Sequence, residues 1–121
     1  MFIIRQTQMN AFQKKLDDQL IETIMSNIQK NVPDFYFSME NKSLKNECQH
    51  QVNKALENNF TFEKNIFVFV MFFIHLQPEP KILLWFDKMI KNSFLDENQK
   101  SILIQLQYLF LTGKKLHFIE S

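Results

Sequence analysis

The sequence is poor in the residues on which many catalytic and structural motifs depend. It has one glycine and one cysteine among 121 residues. With a single glycine, the chain has neither a glycine-rich phosphate-binding loop nor the G-x-S-x-G turn of a serine hydrolase. With a single cysteine, it forms no intramolecular disulfide and no multi-cysteine metal site. Together with the missing signal peptide, this cysteine usage predicts a protein of a reducing compartment, the cytoplasm.

The sequence also lacks an excess of charge of either sign and a long apolar run. Fourteen Lys+Arg against thirteen Asp+Glu give a formal net charge of +1. Nucleic-acid binders normally show a strong basic excess or a basic stripe, so we expect no nucleic-acid partner. The longest apolar run, residues 66–74, is less than half the length of about twenty residues that a membrane span needs. We therefore expect no transmembrane helix.

What the chain has in abundance is phenylalanine, asparagine and glutamine. It contains 14 Phe, and Arg5 is its only arginine beside many lysines. This pattern resembles the product of an AT-rich genome, so much of the Asn and Gln content is interpreted as codon drift rather than chemistry.

Apolar residues recurring every three or four positions predict an all-α single domain over residues 1–121, a bundle of about five helices. The first helix covers residues 7–29, with Thr7 as its candidate N-cap. The second begins at Asn41 or Ser43 and ends near Asn58. The third, residues 62–76, starts after Thr61 and is the central, mostly buried helix of the bundle.

Two further helices follow the break at Gln77–Pro80. Proline is favoured at the first helical position, so the fourth helix is predicted over residues 80–92. Asp96 and Gln99 resemble a capping box at the start of the fifth helix, which ends at Gly113. The spacing of its apolar residues marks this helix: Ile102, Leu103, Leu106, Leu109 and Phe110. Residues 114–121 alternate like a short extended segment.

The residues that could carry chemistry each have a structural interpretation. Cys48 lies on an apolar stripe and is interpreted as a small core residue, and His50, two positions away, points to another helix face. The acidic pairs Asp17–Asp18 and Asp96–Glu97 lie on a solvated face and at a helix start. The three histidines, His50, His75 and His117, lie on different segments of the chain. We therefore expect no catalytic residue, no metal site, no cofactor and no enzymatic activity.

The aromatic surplus leaves two interpretations open. The side chains either fill the core or form an exposed apolar patch for a protein partner, where aromatics and Met are enriched. Two clusters are apolar on both sides of their backbone, so one layer of packing does not bury them fully. The candidate partner-binding residues are therefore Phe35, Tyr36, Phe37 and Met39 in the connector after the first helix, and Trp85 with Phe86 in the fourth helix.

The N-terminal string Ile4-Arg5-x-x-Gln8-Met9-x-Ala11-Phe12 resembles the opening of a family of small helical bacterial proteins encoded beside type VI secretion spike and effector genes. Further similarities are Val32-Pro33, Glu63, Met71-Phe72 and Trp85. The chain departs from the family at Asn58-Asn59-Phe60, where members have "YGI", and at Leu84, where they have proline. The resemblance implies a cytoplasmic accessory protein of a contact-dependent secretion system, and it brings no catalytic residue.

Two functions follow from the resemblance. The first is a non-enzymatic co-chaperone or adaptor that binds a secreted effector or the chaperone that loads it. The alternative is an immunity protein that neutralises a cognate secreted toxin. If the N-terminal motif is a binding surface, Arg5 and Gln8 are its exposed members. The apolar surplus would equally suit a homodimer.

Overall fold

The computed structural model describes the backbone of residues 6–119 and the side chains of residues 18–119. Within that range the chain forms six α-helices and one π-helical turn, with no strand, so the prediction of an all-α fold is confirmed. The elements are α1 (Gln6–Asn31), α2 (Pro33–Ser38), α3 (Asn41–Glu57), α4 (Glu63–Met71), the π turn (Phe72–Leu76), α5 (Pro80–Ile90) and α6 (Glu97–Thr112).

The aromatic connector after α1 is itself a short helix, which the sequence analysis did not predict. Pro33 occupies its first position, where the fixed φ suits a helix and the missing N–H removes no hydrogen bond. The Tyr36 N–H donates to the Val32 carbonyl over 2.9 Å, and the Ser38 hydroxyl donates to the Phe35 carbonyl. Thr7 lies inside α1 and is not its N-cap.

The start of α4 is held by a side chain from a distant helix. Phe62, rather than Thr61, is the N-cap residue, and no local side chain caps the helix. Instead Glu97 of α6 accepts hydrogen bonds from the Thr61 and Phe62 N–H groups, at 2.7 and 2.9 Å. Its second oxygen accepts from the Thr61 hydroxyl at 2.9 Å. A carboxylate at this position also complements the helix dipole.

The predicted central helix forms the core. Residues 65–71 of α4 are all buried, and α4 packs against α1, α3 and α6. The π turn continues its path and carries an aromatic cluster, in which Phe72 stacks on Phe86 with ring centroids 5.0 Å apart. Phe73 meets the same ring edge-on at 4.9 Å. This cluster attaches α5 to the central helix.

The last two helices begin as predicted. Pro80 is the first residue of α5. The side chain of Asp96 accepts from the Gln99 N–H at 2.8 Å, and the Gln99 side chain accepts from the Asp96 N–H at 2.9 Å, so the capping box is confirmed. Gly113 follows α6 with a φ of 71°, a left-handed conformation that favours glycine.

Candidate functional site

An apolar stripe lies exposed along α6, on the side away from the core. It consists of four side chains that are between 40 % and 83 % exposed, and we call it the α6 outer face: Ile102, Leu106, Leu109 and Phe110. Their spacing places them within about 100° of one another around the helix. The inward side carries Ser101, Ile104 and Tyr108, which are fully buried. The helix is therefore apolar on two sides, and within the described part of the chain only one of them packs against the domain.

A groove runs between the α6 outer face and the segment that follows Gly113. It holds about 280 Å³ and is lined by Ile102, Gln105, Leu106, Leu109, Lys115 and Leu116. Pockets for small molecules usually start at about 300 Å³ and enclose most of the ligand. This groove is at that limit and open, so it suits side chains of a protein better than a metabolite.

The segment of residues 114–119, which we call the tail, is fixed against α1 by two asparagines. The Asn31 side-chain amide donates to the His117 carbonyl at 2.6 Å and accepts from the His117 N–H at 2.8 Å. Asn27 makes the same pair of bonds with Ile119, at 3.0 and 2.7 Å. Leu116 is buried and Phe118 half-buried, whereas His117 and Ile119 are exposed. This alternation is that of extended chain, as predicted for the tail.

The structure separates the six aromatic and Met candidates. Phe37 on α2 is 70 % exposed, whereas Phe35, Tyr36, Met39 and Trp85 are half-buried against the core. Phe86 is only 3 % exposed, so its assignment to an exposed patch is wrong. The reason is that the π turn supplies a second aromatic layer, on which Phe86 stacks. Moreover, α2 packs against α1 and α5 against α6, so the two candidate groups belong to different helix pairs.

The two N-terminal candidates are not tested by the structure. Arg5 lies outside the described residues, and Gln8 belongs to α1 with its side chain outside the described part.

One polar pair lies at the end of the π turn. The Nδ1 atom of His75 is 2.5 Å from the hydroxyl of the buried Tyr108, which donates when Nδ1 carries no proton. Phe35 packs edge-on against the His75 ring at 5.0 Å. Burial lowers the pKa of His75, and the nearby charge of Lys114 lowers it further. Burial raises the pKa of Tyr108 to about 12.

Three further groups that could carry chemistry, Cys48, Asp96 and Glu97, serve the fold. Burial, together with the charge of Glu47, raises the pKa of the Cys48 thiol to about 12, and a protonated thiol is a poor nucleophile. Asp96 belongs to the capping box and Glu97 holds the start of α4. In the described part of the chain, no three His, Cys, Asp or Glu side chains are grouped so that they could hold a metal ion.

A polar cleft of about 610 Å³ surrounds the start of α4. Two of its side-chain amides bond to each other, because Asn65 donates to Asn98 at 2.9 Å. Although partial burial raises the pKa of Glu97, hydrogen bonds from Phe62, Thr61 and Asn65 outweigh it and lower that pKa. Thr61, Asn65, Asn98 and Glu97 therefore serve the junction between α4 and α6.

The α6 outer face is the surface that the sequence analysis did not identify. Residues 102–111 contain only three side chains with a polar group, those of Gln105, Gln107 and Tyr108. Helical spacing identified the helix but not its buried side, because apolar residues occur all round it. One signal in the sequence indicated an exposed apolar surface: this helix has more apolar residues than a single buried stripe needs.

Among the described residues, no helix combines the length and the apolar content needed to cross a membrane. No protein-family model, no curated protein and no solved structure matches the chain, so the similarity to the type VI secretion family stays a prediction.

Proposed function

We propose that this protein is a non-enzymatic protein-interaction module that binds its partner through the α6 outer face and the adjoining groove. The observation that carries the proposal is the helical stripe of apolar side chains on α6, exposed on the side opposite to Ile104 and Tyr108. Contiguous exposed apolar surface of this kind marks protein interaction sites in soluble proteins.

The character of the surface also favours a protein partner. Its members are aliphatic or aromatic, as in the buried centre of an interface, where charged residues are depleted. Lys115 is the one charged residue that lines the groove. With a net charge of +1, the chain offers apolar contact rather than long-range electrostatic steering.

The N-terminal motif supports a partner from a type VI secretion system. On that basis we propose an adaptor or co-chaperone that binds a secreted effector, or its loading chaperone, in the cytoplasm. An immunity protein for a cognate toxin is the alternative within the same class of interaction. A homodimer sealed by the α6 outer face is a third arrangement that the exposed stripe supports.

Affinity capture from the native host, with matched variants, tests the proposal. Leu106→Asp places a charge in the centre of the α6 outer face, and Leu84→Asp places the same charge on α5. The two leucines are equally exposed, at 57 % each, so both variants should fold like the wild type by circular dichroism. We expect Leu106→Asp to lose the captured partner and Leu84→Asp to retain it.

The adaptor and the immunity protein differ in the region of the partner that they bind. Binding to the delivery region of an effector, or to its chaperone, supports an adaptor, whereas binding to the toxic domain with loss of toxicity supports an immunity protein. Capture of further copies of the chain alone supports the homodimer. Equal capture by both leucine variants would contradict the proposed surface.

A further inference from the structure

We infer that the partner enters the groove as an extended segment, which adds a strand to the open edge of the tail. This inference rests on the proposed function, because it specifies the form in which the partner meets the α6 outer face. It starts from the main-chain groups of the tail, which are used on one side only.

One edge of the tail is fully occupied by α1. The N–H and C=O groups of His117 and Ile119 are paired with the side-chain amides of Asn31 and Asn27. In an extended chain, alternate residues direct their N–H and C=O groups to opposite edges. The groups of Leu116 and Phe118 therefore point away from α1.

The opposite edge has no partner among the described residues. Across residues 6–119 no hydrogen bond is formed by the main-chain N–H or C=O of Leu116 or Phe118. Lys115 and Leu116 line the groove together with Ile102 and Leu106, so the tail forms one wall of the groove and α6 forms another. The groove thus combines an unpaired edge of extended chain with an apolar helix face.

The edge of the tail and the α6 outer face together favour an extended peptide as the ligand. A helical partner has its own N–H and C=O groups paired internally, so it would leave the edge of the tail unsatisfied. An added strand pairs with the edge through its main chain and is recognised through every second side chain. Those side chains would face Ile102, Leu106 and Leu109, so they should be apolar.

The charge beside the groove predicts an acidic residue in the bound partner segment. Lys114 and Lys115 are both exposed at the start of the tail, beside the groove. A carboxylate at the corresponding end of the bound segment would complement them. The partner segment is therefore a short strand with apolar residues at alternate positions and an acidic residue at one end.

A displayed library of random twelve-residue peptides, selected on the full chain and counter-selected on Leu106→Asp, tests the inference. We expect enrichment of alternately apolar sequences with an acidic end. The most enriched peptide is then synthesised in two N-methylated forms, which block the even or the odd amides. Because only one set of amides faces the tail, one form should lose about tenfold or more in affinity and the other should bind like the parent.

Three results would overturn the inference: apolar residues enriched at a spacing of three or four, equal affinity of the two N-methylated forms, or no enrichment over Leu106→Asp. The first two would leave the α6 outer face as a binding surface, provided that capture of the native partner still depends on Leu106. If neither the peptides nor the native partner respond to Leu106→Asp, the proposed function fails as well.

Discussion

His75 is the residue whose protonation has the most direct structural consequence. Its ring is half-buried at the end of the π turn, between Phe35 and Tyr108. A protonated ring could no longer accept the Tyr108 hydroxyl at Nδ1, and it would lie near the charge of Lys114. The folded state therefore favours the neutral ring.

The pH dependence of stability follows from this preference. Because the pKa of His75 is lowered in the folded state, the unfolded chain binds more protons below about pH 6.5. We expect the free energy of unfolding to be highest above that pH and to fall on acidification. The contribution of one group is at most about 1.4 kcal/mol per pH unit. Urea unfolding between pH 5.5 and 7.5 measures the slope.

Two histidine variants test the assignment. His75→Asn retains a neutral acceptor and should flatten the slope between pH 5.5 and 7.5. His50→Asn makes the same change at an exposed position on α3 and should leave the slope as it is. A slope that responds equally to both variants would show that His75 does not dominate it.

Asparagine shows how an unusual composition can mislead at the level of single residues. The abundance of Asn was interpreted as codon drift, yet Asn27, Asn31 and Asn65 are 1 %, 6 % and 4 % exposed. Each forms a hydrogen bond that joins two parts of the chain. Composition does not distinguish these buried residues from the exposed Asn46. The difference lies in their hydrogen-bond partners, which only the fold shows.

At the scale of single elements, local signals in the sequence predicted those helix ends that local chemistry determines. Pro80, the Asp96–Gln99 capping box and Gly113 act within a few residues of the ends they define. The start of α4 lies one residue after the predicted residue 62. Its cap, Glu97, comes from 35 and 36 positions further along the chain and accepts from the Phe62 and Thr61 N–H groups, so no local signal indicated it. The π turn and α2 likewise depend on their packing against neighbouring helices.

The candidate site was less predictable than the fold. Its aromatic candidates rest on segments that are apolar on both sides of the backbone, and that pattern also describes a core, as Phe86 shows. The α6 outer face could be separated from the buried face only once the position of Tyr108 against His75 was known. Apolar residues around a whole helix indicate that it is buried or binds a partner. They do not show which side of the helix packs in the core and which side binds.

The two faces of α6 allow a matched comparison of stability. Ile104→Ala removes a fully buried side chain and should lower the free energy of unfolding by about 2–5 kcal/mol. Ile102→Ala makes the same change at a side chain that is 54 % exposed, and it should cost less than about 1 kcal/mol. Chemical denaturation of both variants provides the measurement. Similar losses would show that the outer face is packed in solution.

At the scale of the whole molecule, the tail closes the chain on its first helix. The bonds from Asn27 and Asn31 span 92 and 86 positions, whereas the α-helical bonds are local. Their loss therefore weakens the attachment of a segment at the end of the described chain without breaking a helix. This makes the tail the part of the fold whose attachment can be tested alone.

Asn27→Ala removes two of these bonds and leaves the Ile119 N–H and C=O groups without their partner. We expect it to lower the free energy of unfolding by about 1–3 kcal/mol, and to speed hydrogen exchange at the Ile119 amide. Asn46→Ala is the control, since it makes the same change at an exposed position within α3 and brings the same gain in helix propensity. Equal stabilities and equal exchange rates would contradict the role of Asn27.

The geometry of the two asparagines also limits how much extended chain α1 can hold. Four residues of helix rise about 6.0 Å, whereas two residues of strand advance about 6.6 Å. The same four residues turn about 40° past a full circle, so each further asparagine would point away from the line of the strand. Asn31 and Asn27 make both bonds because the mismatch over one step is small. A straight helix and a straight strand soon diverge, so a longer attachment would require one of them to curve.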